Sequence, residues 1–294
     1  MLGGMRPAEF GPGPDGSVTR RVLALARSCH PEPTVAVTAL VTALAVTTGR
    51  DSVGVLLVAA AVLTGQLSIG WLNDHLDAGR DRAVGRTDKP AAAGVVDPRT
   101  VGVAALVAAV LCVPLSLASG VLAGGLHLVA VAAGLAYDLG LKATRASVVP
   151  YAVCFGLLPV FVVLGSGGAP PWWLPVAGAL LGSGAHFANV LPDLDDDLAT
   201  GVRGLPHRLG AARSRIAAAA LLLAASVVLA GGVSGSGAVP VGVLVAAPVV
   251  AGAVLVAGFR VGRRPGSRAP FRAVLVVALI DVVLLVAAGP ALVT

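Results

Sequence analysis

Apolar residues in this chain come in long, nearly unbroken runs. They lack the alternation of half-buried strands and the three-to-four-residue stripe of soluble amphipathic helices. Nine runs stand out, at roughly 33–49, 52–72, 100–118, 121–140, 147–165, 172–191, 212–231, 237–258 and 271–292. Each reaches or approaches the roughly 20 residues that carry a helix across a bilayer. Gly and Pro interrupt several of them, which transmembrane helices tolerate when neighbours satisfy the freed backbone groups. The pattern predicts an all-α membrane protein with about nine transmembrane helices. Residues 1–19 are rich in Gly and Pro, have no apolar centre and show no secretory signal pattern. They are expected to form a disordered tail before a transmembrane domain over 20–294.

Composition agrees. The chain has 294 residues, 56% hydrophobic and 12% charged, with mean hydropathy +0.90. Soluble domains carry about 25% charged residues. The net charge of +6 would suit nucleic acid if it were clustered on a soluble face, but its distribution points to membrane orientation instead. Of the 21 Lys and Arg, all but Arg50 fall in the N-terminal segment or in the connections after the second, fourth, sixth and eighth runs. The positive-inside rule then places the N-terminus and those connections in the cytoplasm, and the chain in the plasma membrane if it is prokaryotic. The stretch Arg20 to Arg27 alternates basic and apolar residues, as a surface amphipathic helix or a simple basic flank would. Cys29, Cys112 and Cys154 lack metal-type spacing and are expected to be structural thiols.

Seven of the 15 acids lie in two short clusters at the cytoplasmic ends of runs two and six. The first is Asn73-Asp74-His75-Leu76-Asp77-Ala78-Gly79-Arg80-Asp81. The second is Asn189-Val190-Leu191-Pro192-Asp193-Leu194-Asp195-Asp196-Asp197. Asn73, Asp77 and Asp81 are four apart, as are Asn189, Asp193 and Asp197, so on helices each trio forms one stripe. Stacked carboxylates repel, and a divalent cation offsets that repulsion most simply. Mg²⁺ takes oxygen ligands and binds one or two carboxylates together with substrate phosphates. Asp77, Asp81, Asp193 and Asp197 are the candidate metal ligands. Asp74, Asp195 and Asp196 fall off the stripes, as supporting or solvated residues.

These residues resemble the UbiA superfamily of intramembrane prenyltransferases. The family's N-x-x-x-D-x-x-x-D motif matches Asn73, Asp77 and Asp81, and its D-x-x-x-D motif matches Asp193 and Asp197, with Gly201 four residues on. Arg86-Thr87-Asp88-Lys89-Pro90 is similar to its R-T-x-x-R-P element, with Lys for Arg and one spacer fewer. Tyr137-x-x-x-Leu141-Lys142 is similar to its Y-x-x-x-L-K element. The resemblance implies helices around a central cavity open sideways to lipid, with Mg²⁺ and an isoprenyl diphosphate at the cytoplasmic end. Under it, Asn73, Arg82, Arg86, Lys89, Lys142 and Asn189 become candidate diphosphate contacts. Tyr137 becomes a candidate to stabilise an allylic cation through its ring face.

The implied reaction ionises the diphosphate and transfers the isoprenyl group to an aromatic or other small acceptor in a dry cavity. The alternative is a terpene cyclase on the same scaffold, which needs no acceptor. A transporter would carry acids at the midplane beside broken helices, whereas here only Asp281 is central. An intramembrane carboxylate marks function by default, and Asp281 is a candidate for proton removal from the acceptor or product, the alternative being a protonated carboxyl bonded to a neighbouring helix. Under the resemblance Lys142 and Tyr137 are the other candidate catalytic residues. His127 and His186 read as packed histidines, and His30 is assigned no chemistry. Trp172 and Trp173 read as an interfacial aromatic belt.

Overall fold

A computed structural model describes residues 14–234, 237, 239–262, 267, 269–287 and 289–292. Among them the chain forms helices and turns only. The helices are α1 (Pro14–Arg27), α2 (Pro31–Thr47), α3 (Ser52–Ala83), α4 (Pro98–Leu117), α5 (Val121–Asp138), α6 (Val149–Gly165), α7 (Trp173–Val190), α8 (Leu194–Ala199), α9 (Leu205–Ser234), α10 (Val241–Val261) and α11 (Ala269–Ala287). Of the expected tail, residues 1–13 lie outside the described residues, and helix α1 runs over Pro14–Arg27.

Among the described residues each apolar run is mostly helix. Their starts follow local chemistry: Asp51 caps α3 by accepting from the Gly54 amide at 2.7 Å, and Asp97 caps α4 by accepting from the Arg99 amide at 2.8 Å. By length and composition six stretches are long and apolar enough to cross a membrane: α3, α4, α5, α7 with α8, α9 and α10. A seventh counts if α1 and α2, bent by 71° at their junction, act together. Among the described residues that measure gives fewer spans than the nine expected, partly because α6 has 17 residues.

Among the described residues nine long helices pack as a ring in chain order, α2–α3–α4–α5–α6–α7–α9–α10–α11, and α11 returns to α2. Glycines set the closest approaches. A Cβ on Gly182 of α7 would lie 2.5 Å from the Tyr151 carbonyl oxygen of α6, so these helices meet backbone to backbone, as small residues allow in membranes. At the end marked by Arg50 the ring is filled by Leu44, Val58, Phe161, Val162 and Leu174. Arg50 itself donates to the Gly165 carbonyl at 2.7 Å. The opposite end, where α3, α5 and α7 finish, holds the polar residues.

Candidate active site

Asn73, Asp77 and Asp81 lie on one unbroken helix, α3, as their spacing predicts. Asp74, Asp77 and Asp81 are 3%, 6% and 5% exposed, and carboxylates so buried need partners. Basic side chains supply them. The Lys142 ammonium lies 2.8 Å from both oxygens of Asp77, and Arg80 donates to Asp77 Oδ2 at 2.8 Å. The Lys89 ammonium sits between Asp74 Oδ1 (3.1 Å) and Asp81 Oδ2 (3.0 Å). Asp74 is therefore neither solvated nor idle.

The second cluster departs from its expected stripe. Helix α7 ends at Val190, residues Leu191–Asp193 make a single 3₁₀ turn, and α8 begins at Leu194. Pro192 has no amide hydrogen to continue the ladder, so Asn189, Asp193 and Asp197 do not share one continuous α-helical face. Asn189 is exposed, with Nδ2 3.4 Å from the Tyr151 hydroxyl. Asp197 meets His207 Nε2 at 3.2 Å. Asp195 and Asp196 are exposed, as solvated residues would be.

The two clusters nevertheless face each other. The Arg80 guanidinium that grips Asp77 is 4.0 Å from Asp197 Oδ1. Residues 84–97 form a strap beside this mouth. Arg86 forks Asp88 at 2.9 and 3.0 Å and reaches Asp193 at 3.7 Å. The Asp88 bonds hold the Arg86 pKa above its ordinary value despite partial burial, and Arg86 in turn holds the Asp88 carboxyl below its own. Burial alone would lower the Lys89 pKa, but Asp74 and Asp81 outweigh it and raise it. Arg82 is turned elsewhere, donating to the Ala92 and Ala91 carbonyls at 3.2 and 3.4 Å. It tethers the strap and meets none of the acids. Among the described residues no three His, Cys, Asp or Glu side chains converge as a ready-made metal cage.

Beneath the acids lies an aromatic layer. The Tyr137 ring meets Tyr151 edge-on at 5.3 Å and His186 at 5.7 Å, and Tyr151 stacks on Phe155 at 6.3 Å. His186 is held by Ser147 Oγ at 3.0 Å, and Ser147 also accepts from the Leu205 amide at 2.9 Å. Phe155 then lines an apolar cavity of about 120 Å³ with Leu40, Leu44, Leu174 and Leu229. Asp281 is the one polar side chain in that lining. It is 4% exposed, in a lining that includes neither Tyr137 nor Lys142 nor any acid of the two clusters. His127 is packed, stacked on Phe161 at 4.6 Å and bonded to Ser116 at 2.8 Å. Trp172 is exposed as a belt residue would be, but Trp173 packs into the bundle on Gly232.

Sequence reasoning missed His30, Arg80, Asp138 and His207. His30 Nε2 lies 3.3 Å from Asn73 Oδ1 and 3.5 Å from Asp74, while Asn73 Nδ2 donates to Asp138 Oδ1 at 2.9 Å. Asp138 stands next to Tyr137 inside the Y-x-x-x-L-K element, a signal that was in view.

No curated protein matches the sequence. Solved structures match the fold. A UbiA homologue from Archaeoglobus fulgidus bound to GPP and Mg²⁺ aligns with TM-score 0.70 at 15% identity, over 92% of this chain and 99% of that one. A UbiA homologue from Aeropyrum pernix K1 aligns with TM-score 0.70 at 19% identity, over 85% and 95%. A digeranylgeranylglyceryl phosphate synthase aligns with TM-score 0.67 at 14% identity, over 92% and 99%. The sequence profile of the UbiA prenyltransferase family matches residues 34–286. With facing acid clusters at one end of a helical ring and a profile that covers most of the sequence, this chain belongs to the UbiA prenyltransferase family.

Proposed function

We propose that the chain is a Mg²⁺-dependent intramembrane prenyltransferase that ionises an isoprenyl diphosphate and passes the isoprenyl group to a small acceptor. The observation that carries this reading is the convergence of the two acid clusters on Arg80, above an aromatic layer that leads into an apolar cavity. The Archaeoglobus homologue is bound to GPP and Mg²⁺, and the positive charge around this mouth suits the same kind of ligand.

The donor set fits Mg²⁺. It is built of carboxylate oxygens on two elements, and Mg²⁺ needs only one or two from the protein when diphosphate supplies the rest. Asp77, Asp81, Asp193 and Asp197 would hold it. When bound, Mg²⁺ supplies positive charge that stabilises the departing diphosphate. The chain's own residues do the remainder. Lys142, Lys89, Arg80 and Arg86 each lie on a carboxylate of the mouth and present N–H groups to diphosphate oxygens. Tyr137 and Tyr151 offer ring faces to the allylic cation left when the C–O bond breaks. Leu40, Leu44 and Leu174 shield the hydrocarbon chain and keep out the water that would quench the cation. Asn189 sits at the lip. Asp281 lines the chain cavity, where we assign it to proton removal. The basic, acid-bearing end faces the cytoplasm.

The test is to incubate purified protein with geranyl, farnesyl and geranylgeranyl diphosphates and Mg²⁺, with and without phenolic acceptors. Mg²⁺-dependent diphosphate release with an alkylated acceptor is expected. Cyclic hydrocarbon without acceptor would move the assignment to a cyclase on the same site. No diphosphate release from any donor would refute both.

A further inference from the structure

Asn73 is gripped from two sides by residues that belong to neither acidic motif. On one side its Nδ2 donates to Asp138 Oδ1 at 2.9 Å. On the other, His30 Nε2 lies 3.3 Å from its Oδ1. The partners fix which way the amide points. Turned over, its oxygen would face a carboxylate, and its N–H₂ would face His30 Nε2, whose hydrogen in the Nε2–H tautomer serves Asn73 Oδ1 at 3.3 Å and Asp74 Oδ1 at 3.5 Å together.

His30 reaches this place through an unusual backbone. Its φ is 54°, and among the described residues it is the only non-glycine at positive φ. Glycine would adopt that conformation without strain, so histidine's ring is what the position adds. The elbow between α1 and α2 is clamped to the turn of α3 that carries Asn73. The Cys29 carbonyl presses on Gly70, where any Cβ would overlap it. Thr34 Oγ1 donates to the same carbonyl at 2.8 Å, and Trp71 Nε1 donates to the Leu25 carbonyl at 2.9 Å.

We propose that His30 and Asp138 are positioning residues that lock the Asn73 amide in one orientation. The lock leaves Asn73 one N–H and one carbonyl lone pair for the diphosphate site. The inference rests on the prenyltransferase reading for its ligand, but the lock itself is a property of the chain.

The test measures binding without turnover, as the thermal shift produced by farnesyl thiolodiphosphate with Mg²⁺, alongside KM for the natural diphosphate. His30→Gly relieves the backbone and removes the ring, and Asp138→Ala removes the acceptor. Each is expected to weaken ligand binding about tenfold, the usual scale for outer partners of a metal site. His30→Gln and Asp138→Asn, which keep a donor and an acceptor in place, are expected within about threefold of wild type on the same scale. Wild-type affinity in both truncated variants overturns the proposal. So does equal loss in the conservative pair.

A swap covers the case in which a truncation fails to fold. Asn73→Asp sets two carboxylates face to face and is expected to lower both melting temperature and ligand affinity. Adding Asp138→Asn restores a donor–acceptor pair and is expected to recover most of the melting temperature. No recovery overturns the lock. If wild-type protein binds no isoprenyl diphosphate, the functional reading fails, while the swap still reports on the lock through melting temperature alone.

Discussion

Asp77 and Asp193 separate stability from chemistry. Asp77 is 6% exposed and holds both Lys142 and Arg80. Asp193 has a side chain 51% exposed, with Arg86 as its ion-pair partner at 3.7 Å. Asp77→Asn and Asp193→Asn should each lower diphosphate release at least about 100-fold, the scale of losing one electrostatic stabiliser of a developing anion. Only Asp77→Asn should also lower the melting temperature. Equal retention of activity in both would remove the metal assignment. Lys89 gives a third test. Lys89→Met leaves Asp74 and Asp81 buried without their cation, at a cost of about 3–5 kcal/mol. The raised pKa of Lys89 means its contribution is complete below the ordinary lysine value and fades only as pH rises through the shifted one. The stability gap between wild type and Lys89→Met, read from melting curves, should therefore persist to about pH 9 and close as pH rises through the raised Lys89 value.

At the scale of elements, the sequence announced α3 and its stripe because hydrophobic run and polar motif lie on one helix. The second stripe was misread because residue spacing describes a continuous helix, and Pro192 ends that continuity between Asn189 and Asp193. His30 and Asp138 stayed hidden for another reason. Their partner Asn73 lies 43 and 65 positions away along the chain, and contacts at that range come from helix packing that no local pattern encodes. Arg82 was over-read, because a basic residue beside an acidic motif looks the same in sequence whether it turns to the motif or to the strap carbonyls. The α6–α7 contact also bears on the site. A side chain at position 182 would press on Tyr151 and Phe155, both in the aromatic layer. Gly182→Ala should cost about 1–3 kcal/mol by overpacking and also reduce turnover, measured as melting temperature and diphosphate release on one preparation.

For the whole molecule, the charge distribution makes a topological statement. In the sequence, every Lys and Arg except Arg50 falls in the N-terminal segment or in the connections after the second, fourth, sixth and eighth apolar runs, the side on which the positive-inside rule puts the acid clusters. Val84→Cys, at a position 40% exposed, should react with an impermeant maleimide only from the cytoplasmic side. Trp172→Cys, at a position 75% exposed, should react only from the outer side. Cys29 and Cys112 are buried and Cys154 is partly so, which keeps the background low. Labelling of both positions from one side would reject the orientation.

The order of the ring has a consequence for biogenesis. Each long helix touches the next one made, so most of the wall can assemble as the ribosome delivers it. The exception is the seam where α11 meets α2, which joins late-made chain to early-made chain. Until α11 is made, α2 and the strained elbow at its start have bilayer or insertion machinery along one flank where α11 will later stand. A nascent chain halted before α11 is therefore an open trough, and the ring closes only when α11 arrives.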